Sequence, residues 1–364
     1  MRHLLKEIRH NPLLWMLALV PVLFVCQRLK PEAHTLLFVL SVCAIIPLAA
    51  LLSLATESVA AKTGDSVGGL LNATLGNLTE LVIALTALRA GDYTLVKASI
   101  AGAIVTNVLF VLGASFLLGG LKHHVQEYNR VGARVQAGML FLATVALLIP
   151  SAVSQADFRS EAMFIRKLSV SLAVLLLVTY GLGMLFSLKT HRELFVSEET
   201  GEAGKSPWPI GLALATLAGV TVAVALVSEI FVESVQKAAE AFGMTQAFVG
   251  FIVVALVGGA AEMGSAFSGA RKNRLDLSVG IALGSSAQIA LFVAPVLVLF
   301  SYVIGPSPMD LQFWPGAVVA IFIATLTASF VTNSGRSTWF VGVFLLTVYF
   351  VFAMTLYLLP PRIQ

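Results

Sequence analysis

The stretch Gly76-Asn77-Leu78-Thr79-Glu80 lies inside an apolar run that extends from Leu70 to Leu88. It places a carboxylate at membrane depth, where insertion of a charged side chain costs about 2.5–3.5 kcal/mol. Such a group usually faces the interior of a helix bundle and marks an ion or proton pathway. The same arrangement returns in Gly258-Gly259-Ala260-Ala261-Glu262. The two glutamates are therefore the first candidate functional residues of the chain.

The composition indicates a helical membrane protein. Of the 364 residues, 58% are hydrophobic and only 12% are charged, and the mean hydropathy is +0.92. A soluble domain of this length needs a more polar exterior. The apolar runs are continuous over about 20 residues, the length of a spanning helix, and do not alternate as in a β-barrel.

The apolar runs predict an all-α polytopic membrane protein with about 11 transmembrane helices. One segment, 190–208, is too polar to span. This segment is predicted to be a short acidic cytoplasmic linker between two five-helix units, the first in 31–189 and the second in 209–364. Residues 1–30 are predicted to form an extra N-terminal helix. The eleven predicted spans are 13–29, 34–55, 69–89, 95–119, 134–152, 164–188, 209–229, 245–270, 277–304, 312–332 and 337–359.

The basic residues set the expected orientation and exclude a nucleic-acid partner. Lys and Arg lie in short loops, as topology signals do, with 14 on the side of the N-terminus and nine on the other. This bias predicts a cytoplasmic N-terminus and an outside C-terminus. The first apolar run is followed by Arg28 and Lys30 and by no small-residue cleavage site, so we interpret it as a retained helix. Cys26 and Cys43 lie in predicted spans and form no disulfide or metal-ligand pattern.

An internal repeat relates the two halves. With an offset of 182 residues and no gap, Gly76 aligns with Gly258, Glu80 with Glu262 and Gly102 with Gly284. Glu80 is in the third predicted span and Glu262 in the eighth, so the two units have opposite orientations in the membrane. The sequence thus predicts an inverted five-plus-five repeat, an architecture of secondary transporters with the binding site near the midplane.

The residues around the two glutamates favour a hard cation. Gly76, Asn77, Gly258 and Gly259 weaken the helix just before each acid. Unwound backbone in a membrane lines a cavity or is buried in protein, and its carbonyls beside carboxylates make the all-oxygen set that Ca²⁺ prefers. Two negative charges are neutralised either by one divalent cation or by two protons. Mutual exclusion of Ca²⁺ and H⁺ at Glu80 and Glu262 therefore predicts antiport.

Further candidates lie on neighbouring spans. Asn107, Ser285 and Gln288 are predicted to supply oxygens or orient the acids; the alternative is ordinary hydrogen bonding between helices. Glu57 and Glu229 are placed near the ends of the spans that precede the motif helices. There they either recruit cations or form solvated helix ends.

The long motifs resemble those of a known family. Residues 69–81, from Gly69 to Leu81, and residues 280–292, from Gly280 to Phe292, are similar to the two repeats of the cation/proton exchanger (CAX) branch of the calcium:cation antiporters. The resemblance extends from about the second span to the end. It implies a Ca²⁺/H⁺ antiporter of eleven helices in which Glu80 and Glu262 bind the ion. It also suggests cation sensing by an acidic linker, here reduced to residues such as Glu198 and Glu199.

Two departures from the family pattern keep other ions open. Gly259 stands where the family usually has Asn, and Met263 where it has His, so one side-chain oxygen and one titratable group are lost. Exchange of Ca²⁺ for Na⁺, or of Na⁺ or Mn²⁺ for H⁺, therefore remains an alternative. The sequence lacks the zinc-binding and paired-aspartate patterns of intramembrane enzymes, which disfavours an enzyme. Two non-equivalent glutamates in one chain disfavour a channel.

The expected partners are the transported ions, Ca²⁺ and H⁺, and the lipid bilayer. No cofactor is expected, and the sequence leaves the oligomeric state open, a homo-oligomer included. The compact chain suggests a prokaryotic plasma membrane.

Overall fold

The computed structural model describes residues 7–9, 11–63, 65–155, 162–194 and 208–358. Most of the linker predicted at 190–208, with Glu198 and Glu199, lies outside these residues. In chain order the elements are α1 (Pro12–Leu29), α2 (His34–Ala60), α3 (Asp65–Leu75), α4 (Leu78–Arg89), α5 (Tyr93–His123), β1 (Val125–Glu127), α6 (Arg130–Gln155), α7 (Ala162–Leu185), α8 (Ile210–Ala241), α9 (Gln246–Gly258), α10 (Ala260–Arg271), α11 (Leu275–Ile304), α12 (Pro315–Val331), β2 (Arg336–Thr338) and α13 (Trp339–Leu358).

The described residues confirm an all-α polytopic membrane fold. They contain nine helices long and apolar enough to cross a membrane, and α9 with α10, bent by 59°, makes a tenth if counted as one span. Helices α3 and α4 have 11 and 12 residues, and each is too short to cross a hydrocarbon core of about 30 Å alone. Together they occupy the span predicted at 69–89. The count of eleven and the inverted repeat remain predictions.

Several predicted boundaries were wrong. Helix α8 does not end near 229 but continues to Ala241, so Glu229 lies well inside it. Its later turns tolerate charge because exposed glutamates follow one face while apolar residues pack inward. Helix α12 begins at Pro315, a residue suited to the first helical position.

Helix α5 is the centre of the bundle. In an apolar 18-residue stretch of α5, 83% of the residues are buried, whereas the share is 11% in the corresponding stretch of α1 at the periphery. It contacts α4, α9, α11 and α12. Gly102 permits the closest of these approaches, because a Cβ there would lie 2.1 Å from the carbonyl oxygen of Phe251 in α9. Small residues let membrane helices approach in this way.

The loops fall into two groups that lie at opposite ends of the bundle. At one end β1 pairs with β2 in an antiparallel ribbon that the sequence did not predict, and Gln126 donates to the carbonyl of Ala270 at 2.9 Å. At the other end Lys97 forms an ion pair with Asp310 at 2.6 Å, and Gln246 donates to Asp92. Successive helices that cross the membrane in opposite directions place their loops at its two ends in this way. Which end faces the cytoplasm stays a prediction.

Two residues that the predicted repeat aligns with each other are in contact at the centre. The Ser286 hydroxyl lies 3.3 Å from the carbonyl oxygen of Ile104, and the two residues are 182 positions apart. Each is followed closely by a π-helical segment, Thr106–Val111 in α5 and Ile289–Val293 in α11. The predicted inverted repeat would bring together those aligned residues that lie near its axis, and π-helical segments are frequent at functional sites.

Candidate functional site

Both glutamates lie in the first turn of a half-helix. Glu80 is the third residue of α4, which Asn77 precedes, and Glu262 is the third residue of α10, which Gly259 precedes. At each interruption the backbone departs from helical geometry for one or two residues. The N-terminal end of a helix favours negative charge, so both half-helices stabilise a carboxylate where the sequence provides one.

The helix interruptions bring the two acids together. A Cβ on Gly258 would lie 3.0 Å from Cγ and 3.4 Å from Oε1 of Glu80, so the Glu80 side chain packs directly against the second interruption. The two carboxyls are close enough for the charge of Glu80 to act on Glu262. Both side chains are half-buried. This is the juxtaposition that the sequence predicted for Glu80, Glu262 and Gly258.

Amide oxygens from each half face the interruption of the other half. The Oε1 of Gln288, in α11, lies 3.5 Å from the position of a Cβ on Gly76, and the Oδ1 of Asn107, in α5, lies 3.8 Å from that on Gly259. The Ser285 hydroxyl is in hydrogen-bonding reach of Glu262. These predicted site residues therefore lie around one centre.

Several polar atoms of this centre have no hydrogen-bond partner among the residues that the structure describes. They are both amide atoms of Asn77, Oε2 of Glu262 and Nε2 of Gln288. Asn77 is 1% exposed. Leaving a buried polar group unsatisfied costs about 1–3 kcal/mol, so such atoms are normally satisfied by water or an ion. The donor set of carboxylate, amide, hydroxyl and carbonyl oxygens fits a hard cation such as Ca²⁺.

A small cavity adjoins Glu80. Its lining includes Ser99 and Ala103 from α5, Val254 from α9 and Ile289 from α11. It has room for about one water molecule. Sequence analysis did not single out Ser99, because a serine in an apolar helix gives no signal of its own; only the packing of α5 beside α4 reveals it.

The two glutamates outside the centre have different surroundings. Glu229 forms an ion pair with Arg89 at 3.6 Å, and the two side chains are 50% and 75% exposed. An exposed pair of this kind contributes about 0–1 kcal/mol. Glu57, near the end of α2, accepts a hydrogen bond from Ser53. Recruitment of cations by Glu57 and Glu229 therefore stays a prediction.

The described residues contain no group of three or more His, Cys, Asp and Glu side chains that could hold a metal ion. A cation at this centre thus depends on the two carboxylates together with neutral oxygens.

Comparisons with known proteins identify relatives over nearly the whole chain. The sequence profile of the family described as sodium/calcium exchanger protein matches residues 33–189 and 212–358. The chain is 41% identical over 338 residues to the Ca(2+)/H(+) antiporter of Aphanothece halophytica, which covers 89% of this chain and 90% of that protein. It is 39% identical over 327 residues to the Ca(2+)/H(+) antiporter ChaA of Bacillus subtilis, covering 89% and 92%.

Solved structures share the fold. The structure of native YfkE superposes with a TM-score of 0.81 at 37% identity and covers 94% of this chain and 98% of that chain. The H+/Ca2+ exchanger CAX superposes with a TM-score of 0.73 at 16% identity, which is evidence for the fold alone.

Proposed function

Because the chain belongs to the sodium/calcium exchanger family, we propose that it is an integral membrane antiporter that exchanges Ca²⁺ for H⁺. The observation that carries this proposal is the pairing of Glu80 and Glu262 across two helix interruptions, with unsatisfied polar atoms around them. Its relatives at 39–41% identity bear the name Ca(2+)/H(+) antiporter.

The proposed mechanism is competition for one pair of acids. Two carboxylates in a low-dielectric bundle are strongly disfavoured when both are charged and unpaired. One Ca²⁺ neutralises both, and so do two protons, but the two loads exclude each other. Ca²⁺ released on one side is replaced by protons, and only a neutralised centre is carried to the other side. The charge pair thus couples the two fluxes.

The remaining ligands complete the proposed cage. Gln288 and Asn107 present amide oxygens to the interruptions, and Ser285 holds Glu262. Carbonyls at the ends of α3 and α9 lack partners within their helices, as the last carbonyls of any helix do. Together with the two glutamates these groups reach the six to eight oxygens that Ca²⁺ takes.

The direct test measures H⁺ flux in proteoliposomes on addition of Ca²⁺ under an imposed pH gradient. We expect Glu80→Gln and Glu262→Gln each to abolish the flux, and Glu240→Gln, an exposed control on α8, to retain it. Normal flux in both site variants would refute the site assignment. Loss of Ca²⁺ uptake on removal of Na⁺ at a constant pH gradient would favour the Na⁺-coupled alternative.

The proposed setting is a bacterial plasma membrane with the N-terminus in the cytoplasm. The bacterial relatives and the distribution of Lys and Arg support it. We expect single cysteines introduced into the β1 loop to react with an impermeant thiol reagent only when the reagent is added on the cytoplasmic side.

A further inference from the structure

Each of the helices α5 and α11 has a π-helical segment at an amide side chain of the candidate site. In α5 the N–H of Leu112 donates to the carbonyl of Asn107, five residues earlier. In α11 the N–H of Ala294 donates to the carbonyl of Ile289, also five residues earlier, and Gln288 immediately precedes this segment. One extra residue in a turn rotates the side chains on its two sides relative to each other by about 100°, because each residue of an α-helix turns by that angle. The direction of each amide therefore depends on its π-helical segment.

A buried tyrosine packs against each segment. The ring centroid of Tyr349, in α13, lies 5.1 Å from that of Phe110 in α5, and the ring centroid of Tyr180, in α7, lies 5.4 Å from that of Phe292 in α11. The two tyrosines are 2% and 7% exposed. The predicted repeat aligns the two phenylalanines with each other. Each contact joins the last helix of one predicted unit to the π-helical segment of the other unit.

The contact of Tyr349 continues toward the candidate acids. The hydroxyl of Thr106, the first residue of its segment, lies 3.4 Å from the hydroxyl of Tyr349. On another side Phe110 meets Phe267 of α10, with ring centroids 6.5 Å apart in an edge-to-face arrangement. Helix α10 carries Glu262 in its first turn. The Phe110 ring is therefore held between α13 and the half-helix of one acid.

We propose that Tyr349 is a positioning residue, which holds the amide of Asn107 toward the cation centre. Tyr180 does the same for the amide of Gln288. A π-helical turn is rare and interrupts the α-helical hydrogen-bond pattern, so it persists where the surrounding packing fixes it. The tyrosine rings provide this packing, because an aromatic pair has a preferred geometry as well as a buried area. The inference rests on the proposed function, since its readout is the affinity for Ca²⁺.

Double-mutant cycles separate positioning of an amide from general support of the fold. The Kd for Ca²⁺ is measured by titration calorimetry on the purified full chain. We expect Tyr349→Leu to raise this Kd at least fivefold in the parent and in Gln288→Leu, but less than twofold in Asn107→Leu. Tyr180→Leu should show the opposite pattern, with its effect lost in Gln288→Leu and kept in Asn107→Leu.

The matched controls are Tyr349→Phe and Tyr180→Phe, which keep the ring contacts. We expect both to stay within threefold of the parent Kd. If a leucine variant does not yield monodisperse protein, Phe110→Leu or Phe292→Leu removes the same ring contact from its other side, and the same selective coupling is expected.

Three results overturn the positioning proposal. One is an effect of a tyrosine variant that is the same with and without its own amide, another is equal coupling to both amides, and the third is a phenylalanine variant that raises the Kd as much as leucine does. Each of them, with Ca²⁺ bound by the parent, leaves the antiport proposal standing. Absence of Ca²⁺ binding in the parent overturns the antiport proposal, and this inference with it.

Discussion

Replacement of Gly102 by Ala tests the closest helix contact of the bundle. The added methyl group is directed at the backbone of α9, where Phe251 O lies 2.1 Å away and its carbonyl carbon and Cα lie 2.5 Å away. Because these are backbone atoms, no change of rotamer relieves the overlap. We expect Gly102→Ala to push α5 and α9 apart and to destabilise the protein.

The magnitude follows from the geometry. Ordinary van der Waals contact begins near 3.4 Å, so the helices must separate by more than about 1 Å at this point. Overpacking of a close-packed core costs about 1–3 kcal/mol. The change from Gly to Ala inside a helix also stabilises the helix by up to about 1 kcal/mol, which offsets part of this cost. Gly284→Ala gains the same helix propensity at the equivalent position and meets only the flexible Gln136 side chain, so the difference between the two variants isolates the overlap.

The assay is thermal unfolding of purified protein in detergent, followed by loss of the monodisperse peak in size-exclusion chromatography. Gly102→Ala should unfold at a clearly lower temperature than the parent, and Gly284→Ala at the parent temperature or above it. If Gly102→Ala proved as stable as Gly284→Ala, the packing of α9 on α5 described here would be incorrect.

Three other outcomes are expected. Gln288→Leu should raise the Kd for Ca²⁺ by about 5–30-fold, by titration calorimetry, since it removes an amide oxygen worth about 1–2 kcal/mol, with little change in the melting temperature of the ion-free protein. Lys97→Met should lower the melting temperature, at a cost of about 1–3 kcal/mol, because it strands a carboxylate that is 29% exposed; adding Asp310→Asn should restore part of the loss. Burial raises the pKa of Asp92 above its ordinary value of 3.8, so its ionisation removes stability as pH rises through the raised pKa. Melting curves should show the parent losing stability relative to Asp92→Asn as pH rises above that ordinary value.

The candidate acids were predictable because each interrupts an apolar run. A carboxylate inside an apolar run long enough to span the membrane is costly. Glu80 and Glu262 could therefore be identified without knowing which residues they contact. The residues before them, Asn77 and Gly259, weaken a helix by their own backbone preferences, and the helices are interrupted at those positions.

Contacts between segments that are distant in the chain were harder to predict from the sequence. The β1–β2 ribbon joins three-residue strands from two loops, too short for a periodic pattern. The end of α8 was misjudged because a charged residue such as Glu229 is compatible either with a helix end or with the exposed face of a continuing helix. Only the neighbouring elements decide between the two.

The amino-acid sequence by itself determined the membrane class, the two acids and the positions of the helix interruptions, because hydropathy and backbone preference act over a few adjacent residues. Tertiary structure alone decided that Asn107 and Gln288 each face the interruption of the opposite half. These residues are far apart in the chain, so their contact depends on which helix surfaces pack together, a property that no single segment contains.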